Sequence, residues 1–263
     1  MVDAMSALPE STPPSSSQEF AGTVGVVTGA AGGLGRTIAS LLTARGATVY
    51  LVDLDRRGVE ALADELASCG GQAHPAPVDV ASEEELNELR ARIVADHHGR
   101  LDFIINNAGG WRYGRAHEIT MTDWDWTFRT NVTGTFLVSR LLMGLMVERG
   151  YGRIVNVASA DAYRGKPNLP HYAAAKAAVV SLTKSLALEL APAQVLVNAV
   201  SPGAIATKTN LAQDWFAERV AATPLGRGAS PDDIAEVILF LASSRNRYMV
   251  GETVMVNGGA LMR

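Results

Sequence analysis

Short apolar, β-branched runs alternate with longer stretches of helical periodicity along nearly the whole chain. The runs TVGVVT (23–28), TVYLVD (48–53), a piece from His74 to Val78, FIIN (103–106), RIVNVA (153–158), VLVNAV (195–200) and TVMVN (253–257) predict strands. Between them the pattern predicts helices over about Gly33 to Arg45, Arg56 to Ser68, Glu83 to His97, Thr122 to Arg149, His171 to Leu190 and Pro231 to Ala242. Two of these helices carry start signals. Ser82 precedes Glu83-Glu84-Glu85, and Ser230 precedes Pro231-Asp232-Asp233, which puts proline at the first helical position with acids behind it. Parallel strands joined by helices must cross over right-handed. The expectation is therefore an α/β fold, a three-layer doubly wound parallel sheet of about seven strands. In such a sheet ligands bind beyond the carboxyl ends of the strands, at the switch point beside the first one.

The first twenty residues, MVDAMSALPESTPPSSSQEF, break the pattern: they are rich in Ser and Pro and have neither a basic start nor an apolar stretch of signal length. Residues 1–20 are expected to be a disordered tail and 21–263 a single domain, since 263 residues without an internal repeat or linker suit one large α/β unit. The most apolar stretch, FLVSRLLMGLMV, carries Arg140, so no membrane span and a soluble cytoplasmic protein are expected. The balance of 23 basic against 27 acidic side chains, a net charge of −4, leaves no basic footprint for nucleic acid. The lone Cys69, in ELASCGG, cannot form an internal disulfide and reads as a helix end. No metal is expected, because His74, His97, His98, His117 and His171 show no ligand spacing. His171 reads as a surface or substrate-rim residue and Trp124 and Trp126 as packing residues; no GxSxG elbow occurs.

Tyr172 and Lys176 stand one helical turn apart in YAAAK, so the phenol and the ammonium address the same small volume. A cation there is expected to lower the phenol's pKa toward the range useful for proton transfer. Ser159, thirteen residues before the tyrosine, offers a donor to a carbonyl oxygen that gains negative charge. TGAAGGLG, Thr28 to Gly35, follows a predicted strand and opens a predicted helix, the context in which a glycine pattern reads as a dinucleotide site.

In order, TGAAGGLG, Asp53, Asp79, NNAG (106–109), Asn131, Ser159, Tyr172, Lys176 and Pro202-Gly203 resemble the short-chain dehydrogenase/reductase family over roughly Gly22 to Gly259. The resemblance implies a Rossmann-type sheet of strand order 3-2-1-4-5-6-7 and a homotetramer built on the long helices and the last strand. It implies Tyr172 as acid and base, Ser159 positioning the substrate oxygen, and Lys176 holding the nicotinamide ribose while lowering the tyrosine's pKa. Asn131 matches the residue that kinks a helix and anchors a water on the proton path from Lys176. Gly29, Gly33, Leu34 and Gly35 match the pyrophosphate turn, Asp79 and Val80 the adenine pair, and Asn107, Ala108 and Gly109 the segment flanking the adenosine. Pro202, Gly203, Ile205 and Thr207 match the loop that holds the carboxamide and phosphates.

Asp53 ends the second strand about twenty residues past the glycines, where an acid accepts ribose hydroxyls and repels a 2′-phosphate. Gly32 and Leu54 occupy the places where NADP-preferring relatives carry a cation, so NAD is expected ahead of NADP, although Arg56 and Arg57 follow closely. The implied activity is hydride transfer between NAD(H) and a small secondary alcohol or ketone. Two alternatives stand beside it: an NADPH-dependent 3-oxoacyl-thioester (acyl carrier protein) reductase, and a non-catalytic nucleotide-binding protein. The substrate is left to the variable loops Gly110 to Ala116, Ala160 to Leu169 and Ala204 to Ala222, which hold Trp111, Arg112, Tyr113, Asp161, Arg164, Trp215 and Phe216. The last of these loops is expected to be a mobile lid.

Overall fold

A computed structural model describes residues 18–262. Within them the strands β1 (Val24–Thr28), β2 (Thr48–Asp53), β3 (Gln72–Pro77), β4 (Phe103–Asn106), β5 (Gly152–Val157), β6 (Val195–Pro202) and β7 (Thr253–Val256) form one sheet. Their order is β3-β2-β1-β4-β5-β6-β7, with all neighbours parallel. The helices are α1 (Gly33–Ala44), α2 (Arg56–Ser68), α3 (Glu83–His97), α4 (Met121–Phe128), α5 (Gly134–Arg149), α6 (Pro170–Leu190), α7 (Lys208–Leu211), α8 (Asp214–Ala221) and α9 (Pro231–Ala242). The chain winds outward from β1 to β3, then returns to β4 and winds the other way. The switch point between β1 and β4 is thus open at the carboxyl ends of the strands.

The pleat explains why the central strands are apolar on both faces. Val27, Val49, Leu51, Phe103, Ile105 and Val155 point into one core with α1, α2 and α9. Their neighbours Val26, Tyr50, Val52, Ile104 and Ile154 point into the other with α3, α5 and α6. β1, β4, β5 and β6 are buried at every residue, whereas β7 at the edge is only half-buried. β3, at the opposite edge, begins two residues earlier than the hydrophobic pattern suggests and carries Pro75 and Pro77, which an edge position tolerates.

Two boundaries differ from the sequence reading for physical reasons. Phe20, assigned above to the tail, is buried and packs edge-on against Phe103 at 5.8 Å, so the domain already includes it; the rest of that segment up to residue 17 lies outside the described residues. The single helix expected over Thr122 to Arg149 is divided by a π-helical turn, Arg129–Thr133. There the Asn131 side chain donates to the Thr127 carbonyl at 2.9 Å, which favours a widened turn at that point. Met121–Arg149 taken as one segment is long and apolar enough to cross a membrane by length and composition, but Leu137, Val138, Leu142, Leu145 and Met146 pack it into the core. Cys69 caps the end of α2, as its context suggests.

Far from the switch point, Tyr50 stacks on His74 at 5.0 Å, and His97 meets both rings edge-on at 5.8 and 5.9 Å. The Tyr50 hydroxyl donates to Asp96 at 2.8 Å, and Arg92 lies 5.3 Å from the same ring. Burial, followed by the charge of Arg92 and the neighbouring His97, holds His74 below its ordinary pKa. The unfolded chain therefore takes up the proton first. The stability this site contributes is present above the unfolded value of about 6.5 and is lost as pH falls toward the folded one. Urea unfolding midpoints should drop between about pH 7.5 and about pH 5.5, and His74→Phe should flatten that dependence.

Candidate active site

The switch point is closed beneath by one hydroxyl. Thr28, the last residue of β1, accepts from the backbone N–H groups of Asn107 at 3.0 Å and Ala108 at 2.9 Å, while Asn107 Nδ2 donates to the Thr28 and Gly29 carbonyls at 3.0 and 3.2 Å. Gly29 turns with φ +65°, and a Cβ there would lie 2.9 Å from Ala108 Cα; one on Gly35 would lie 2.0 Å from the Gly29 carbonyl oxygen. The glycines therefore let the turn fold onto itself. The helix that follows starts without a side-chain cap, as α5, α6 and α8 also do, but it alone is entered through this glycine turn. Asp55, Ser82, Thr120, Thr207 and Ser230 cap α2, α3, α4, α7 and α9 with side-chain oxygens, but α1 starts at Gly32 with no side-chain cap and no acid in its first turn. An uncapped helix N-terminus reached through glycines is a place for an anionic phosphate, so the residues present fit a dinucleotide.

Asp53, at the end of β2, braces this turn: its carboxylate accepts from Ala31 N–H and from Asp55 N–H, each at 3.1 Å. Asp79 is engaged by Ala81 N–H at 2.9 Å and by Arg129 at 2.8 Å, and the neighbouring Val80 is buried against Gly134. These three, with Gly29, Ala108 and Asn131, lie around the cleft described next rather than in its lining.

Four side chains converge from separate elements. Ser159 follows β5 and caps the short turn Ala160–Tyr163, accepting from Asp161 N–H at 3.1 Å. Tyr172 and Lys176 project from the first turns of α6, which opens on Pro170. Lys176 is 4% exposed; its ammonium donates to the Val157 carbonyl at 2.8 Å and sits 5.8 Å from the Tyr172 ring centre. Asn131, fully buried in the π-helical turn, donates to the Gly110 and Thr127 carbonyls at 2.8 and 2.9 Å. A Cβ on Gly109 would lie 2.7 Å from Asn131 Oδ1 and 3.2 Å from Lys176 Nζ, so both groups face this glycine. Asn131 Oδ1 has no hydrogen-bond partner among the described residues, which leaves an acceptor beside the lysine.

Burial dominates the electrostatics. It pushes the Tyr172 phenol above its ordinary pKa, with the Ser159 hydrogen bond as the largest opposing influence. The expected lowering by the lysine is not what governs the phenol here. The cation is itself anchored to Val157 and buried, and burial lowers the Lys176 pKa to about 8.

A cleft of about 470 Å³ joins these groups. Gly33, Leu34, Gly35, Asn107, Gly109, Ser159, Tyr172, Lys176, Pro202, Gly203, Ile205 and Thr207 all line it. So do Trp111, Tyr113, Asp161 and Trp215 from the variable loops, with Trp111 edge-on to Tyr172 at 5.9 Å. Arg112 is absent from the lining because it bonds Asp123 at 2.7 Å and lies over the Trp126 ring at 4.5 Å; Phe216 is buried against Gly228. Lys166, Asn168, Thr209, Asn210, Glu218 and Arg219 also line the cleft. They fall inside the variable loops, but no local pattern distinguishes them from their neighbours. A larger cavity of about 660 Å³ beside β7 and the C-terminal residues contains none of the predicted side chains. His171 is not a rim residue: it is fully buried at the start of α6, and burial holds it below its ordinary pKa, as a neutral ring.

Comparison with known proteins gives a consistent picture. A family model described as enoyl-(acyl carrier protein) reductase matches residues 29–260. The 3-oxoacyl-[acyl-carrier-protein] reductase FabG of Aquifex aeolicus is 38% identical over 241 residues, covering 90% of this chain and 97% of that protein. A 3-oxoacyl-[acyl-carrier protein] reductase with bound NAD from Brucella melitensis is 36% identical, covers 98% of each chain and superposes with a TM-score of 0.86. A gluconate dehydrogenase from Agrobacterium tumefaciens, so described provisionally, is 31% identical with a TM-score of 0.88, covering 94% of this chain and 99% of that one.

The buried lysine has a testable cost. Its folded-state pKa of about 8 lies below the free value of about 10.4, so the penalty is full below the former and gone above the latter, on the order of 3 kcal/mol at neutral pH. Losing the bond to Val157 offsets about 1 kcal/mol of the relief. Lys176→Met should therefore be inactive yet more stable by about 2 kcal/mol near pH 7, with the gain shrinking as pH rises toward 10; thermal unfolding across pH reads both.

Proposed function

The chain belongs to the short-chain dehydrogenase/reductase family, and on that premise we propose that it interconverts a ketone and a secondary alcohol with NAD(H). The observation that carries the reading is the convergence of Ser159, Tyr172 and Lys176 on one cleft that begins at an uncapped glycine turn, with Asn131 meeting the lysine behind it at Gly109. A protein that only bound nucleotide would need the turn but not the proton-transfer groups.

Gly33, Leu34 and Gly35 would receive the pyrophosphate, Asp53 the adenosine ribose, and Lys176 the nicotinamide ribose. Asp79, Val80, Asn107, Ala108 and Gly109 would border the adenosine, and Pro202, Gly203, Ile205 and Thr207 the nicotinamide side. When bound, the nicotinamide supplies or accepts the hydride. Ser159 donates to the substrate oxygen, and Tyr172 gives or takes the proton at that oxygen. Lys176 passes the proton onward to a water that Asn131 Oδ1, an acceptor facing the same Gly109, would hold, and the lysine's charge favours the phenolate once the cleft is filled.

Asp53 supports NAD(H) over NADP(H), because the carboxylate already held by Ala31 and Asp55 N–H would repel a 2′-phosphate. A specific observation favours a more definite substrate: relatives from Aquifex and Brucella, matching 90% and 98% of this chain, carry the name 3-oxoacyl-[acyl-carrier-protein] reductase. A 3-oxoacyl thioester is thus the better-supported ketone, ahead of a simple alicyclic or polyol substrate. We place the enzyme in the cytoplasm as a homotetramer. The half-buried edge of β7 and the exposed Phe136 and Val147 on α5 and Leu188 on α6 support assembly with further copies.

Tyr172→Phe should lower kcat by about 10²- to 10⁴-fold while NADH binding stays nearly intact; retention of most of the rate would overturn the proton-transfer role. Titration should give NAD(H) the tighter binding, and Asp53→Ser should narrow the gap to NADP(H); equal affinities in the wild type would refute the cofactor assignment.

A further inference from the structure

The cleft also contains charges that neither hold the nicotinamide nor move the proton. Asp161 is buried and already committed: Arg219 donates to both its oxygens at 3.0 and 3.1 Å, and Arg164 Nε donates to one at 3.1 Å. Arg219 also lies 5.6 Å from the Trp215 ring. Lys166 is different. It is half-buried and lines the same cleft as Ser159 and Tyr172, yet its ammonium has no hydrogen bond or ion pair among the described residues. Glu218, the other carboxylate of the lining, is exposed and forms no ion pair with it. Arg164 and Arg219 both engage Asp161, so Lys166 is the cation beside the catalytic pair with no direct partner, facing Asp161 and Glu218 only at longer range. A partly desolvated cation without a partner is costly, and a ligand that supplies one negative charge removes that cost.

Resting on the hydride-transfer reading, we infer that the substrate ketone carries a free carboxylate and that Lys166 receives it. A carboxylate gives the ammonium the direct partner it lacks with one negative charge, whereas a dianionic phosphate would bring more negative charge toward Asp161 and Glu218. The class is an oxo acid and its hydroxy acid, either free or as the half-thioester of a dicarboxylic acid. Burial, followed by the charge of Arg219, holds Lys166 below the ordinary lysine pKa, in keeping with a site that awaits an anion.

The test pairs linear oxo acids with their methyl esters, and oxo half-thioesters with their methyl esters, as substrates with NADH. In parallel, saturated carboxylates and their primary amides are titrated into the enzyme–NADH complex by nicotinamide fluorescence. Acids should exceed esters in kcat/KM by about ten- to a hundredfold, the size of a charge-assisted hydrogen bond. Lys166→Met should erase that preference through KM, and Lys166→Arg should keep most of it. The half-thioester arm decides which of the two carboxylate sources is preferred. Equal handling of acid and ester by the wild type, or an equal loss for both in Lys166→Met, overturns the inference. Carboxylates that bind the NADH complex no better than amides overturn it as well, whether or not any ketone turns over. If carboxylates bind through Lys166 but no ketone is reduced, the carboxylate site stands and the hydride-transfer reading fails.

Discussion

The cleft is organised around a lysine ammonium held inside the protein. Lys176 donates to the carbonyl of Val157, the last residue of β5, and thereby ties α6 to the carboxyl edge of the sheet. A charge so buried requires partners, and the surrounding chain is shaped to provide them. Gly109 leaves room beside it, and the π-helical turn brings Asn131 to the same glycine. Tyr172, one turn earlier on α6, is positioned by the same anchorage.

That anchorage rests on a buried polar chain crossing the layers. Asn106 Nδ2 on β4 donates to Ser139 on α5 at 3.0 Å and to Asn156 on β5 at 2.8 Å, and Asn156 Nδ2 donates to Thr183 on α6 at 2.9 Å. The first bond fixes α5 and the last fixes α6 against a particular strand, where apolar contact alone would permit sliding, and the middle one joins the two strands. Thr28 performs the corresponding task between β1 and the segment after β4. The cleft thus has a rigid floor and a more variable rim, where α8 is pinned to the Ser159 turn by the Arg219–Asp161 pair.

Burial raises the phenol and lowers the lysine to about 8, and each shift disfavours the charged form. The cleft is therefore an electrostatically costly arrangement that the rest of the fold sustains.

The alternation of apolar runs and helical stretches determined the sheet, its parallel strands and the three layers, because a strand buried on both faces has few other sequences open to it. The glycine turn and the Ser159, Tyr172 and Lys176 spacings were legible for a similar reason: close backbone approach and a shared helix face impose local rules on sequence. Tertiary structure alone decided the rest. The contact that aims Asn131 at the cleft side runs to Gly110, a residue 21 positions away, and the burial of Phe20 depends on Phe103. The direction of the tyrosine's pKa depends on how much water the folded cleft excludes, which no spacing of Tyr172 and Lys176 encodes. Lys166 looks like any loop lysine until the fold commits Asp161 to Arg164 and Arg219 and leaves its ammonium without a direct partner, since pairing is a property of what space brings together.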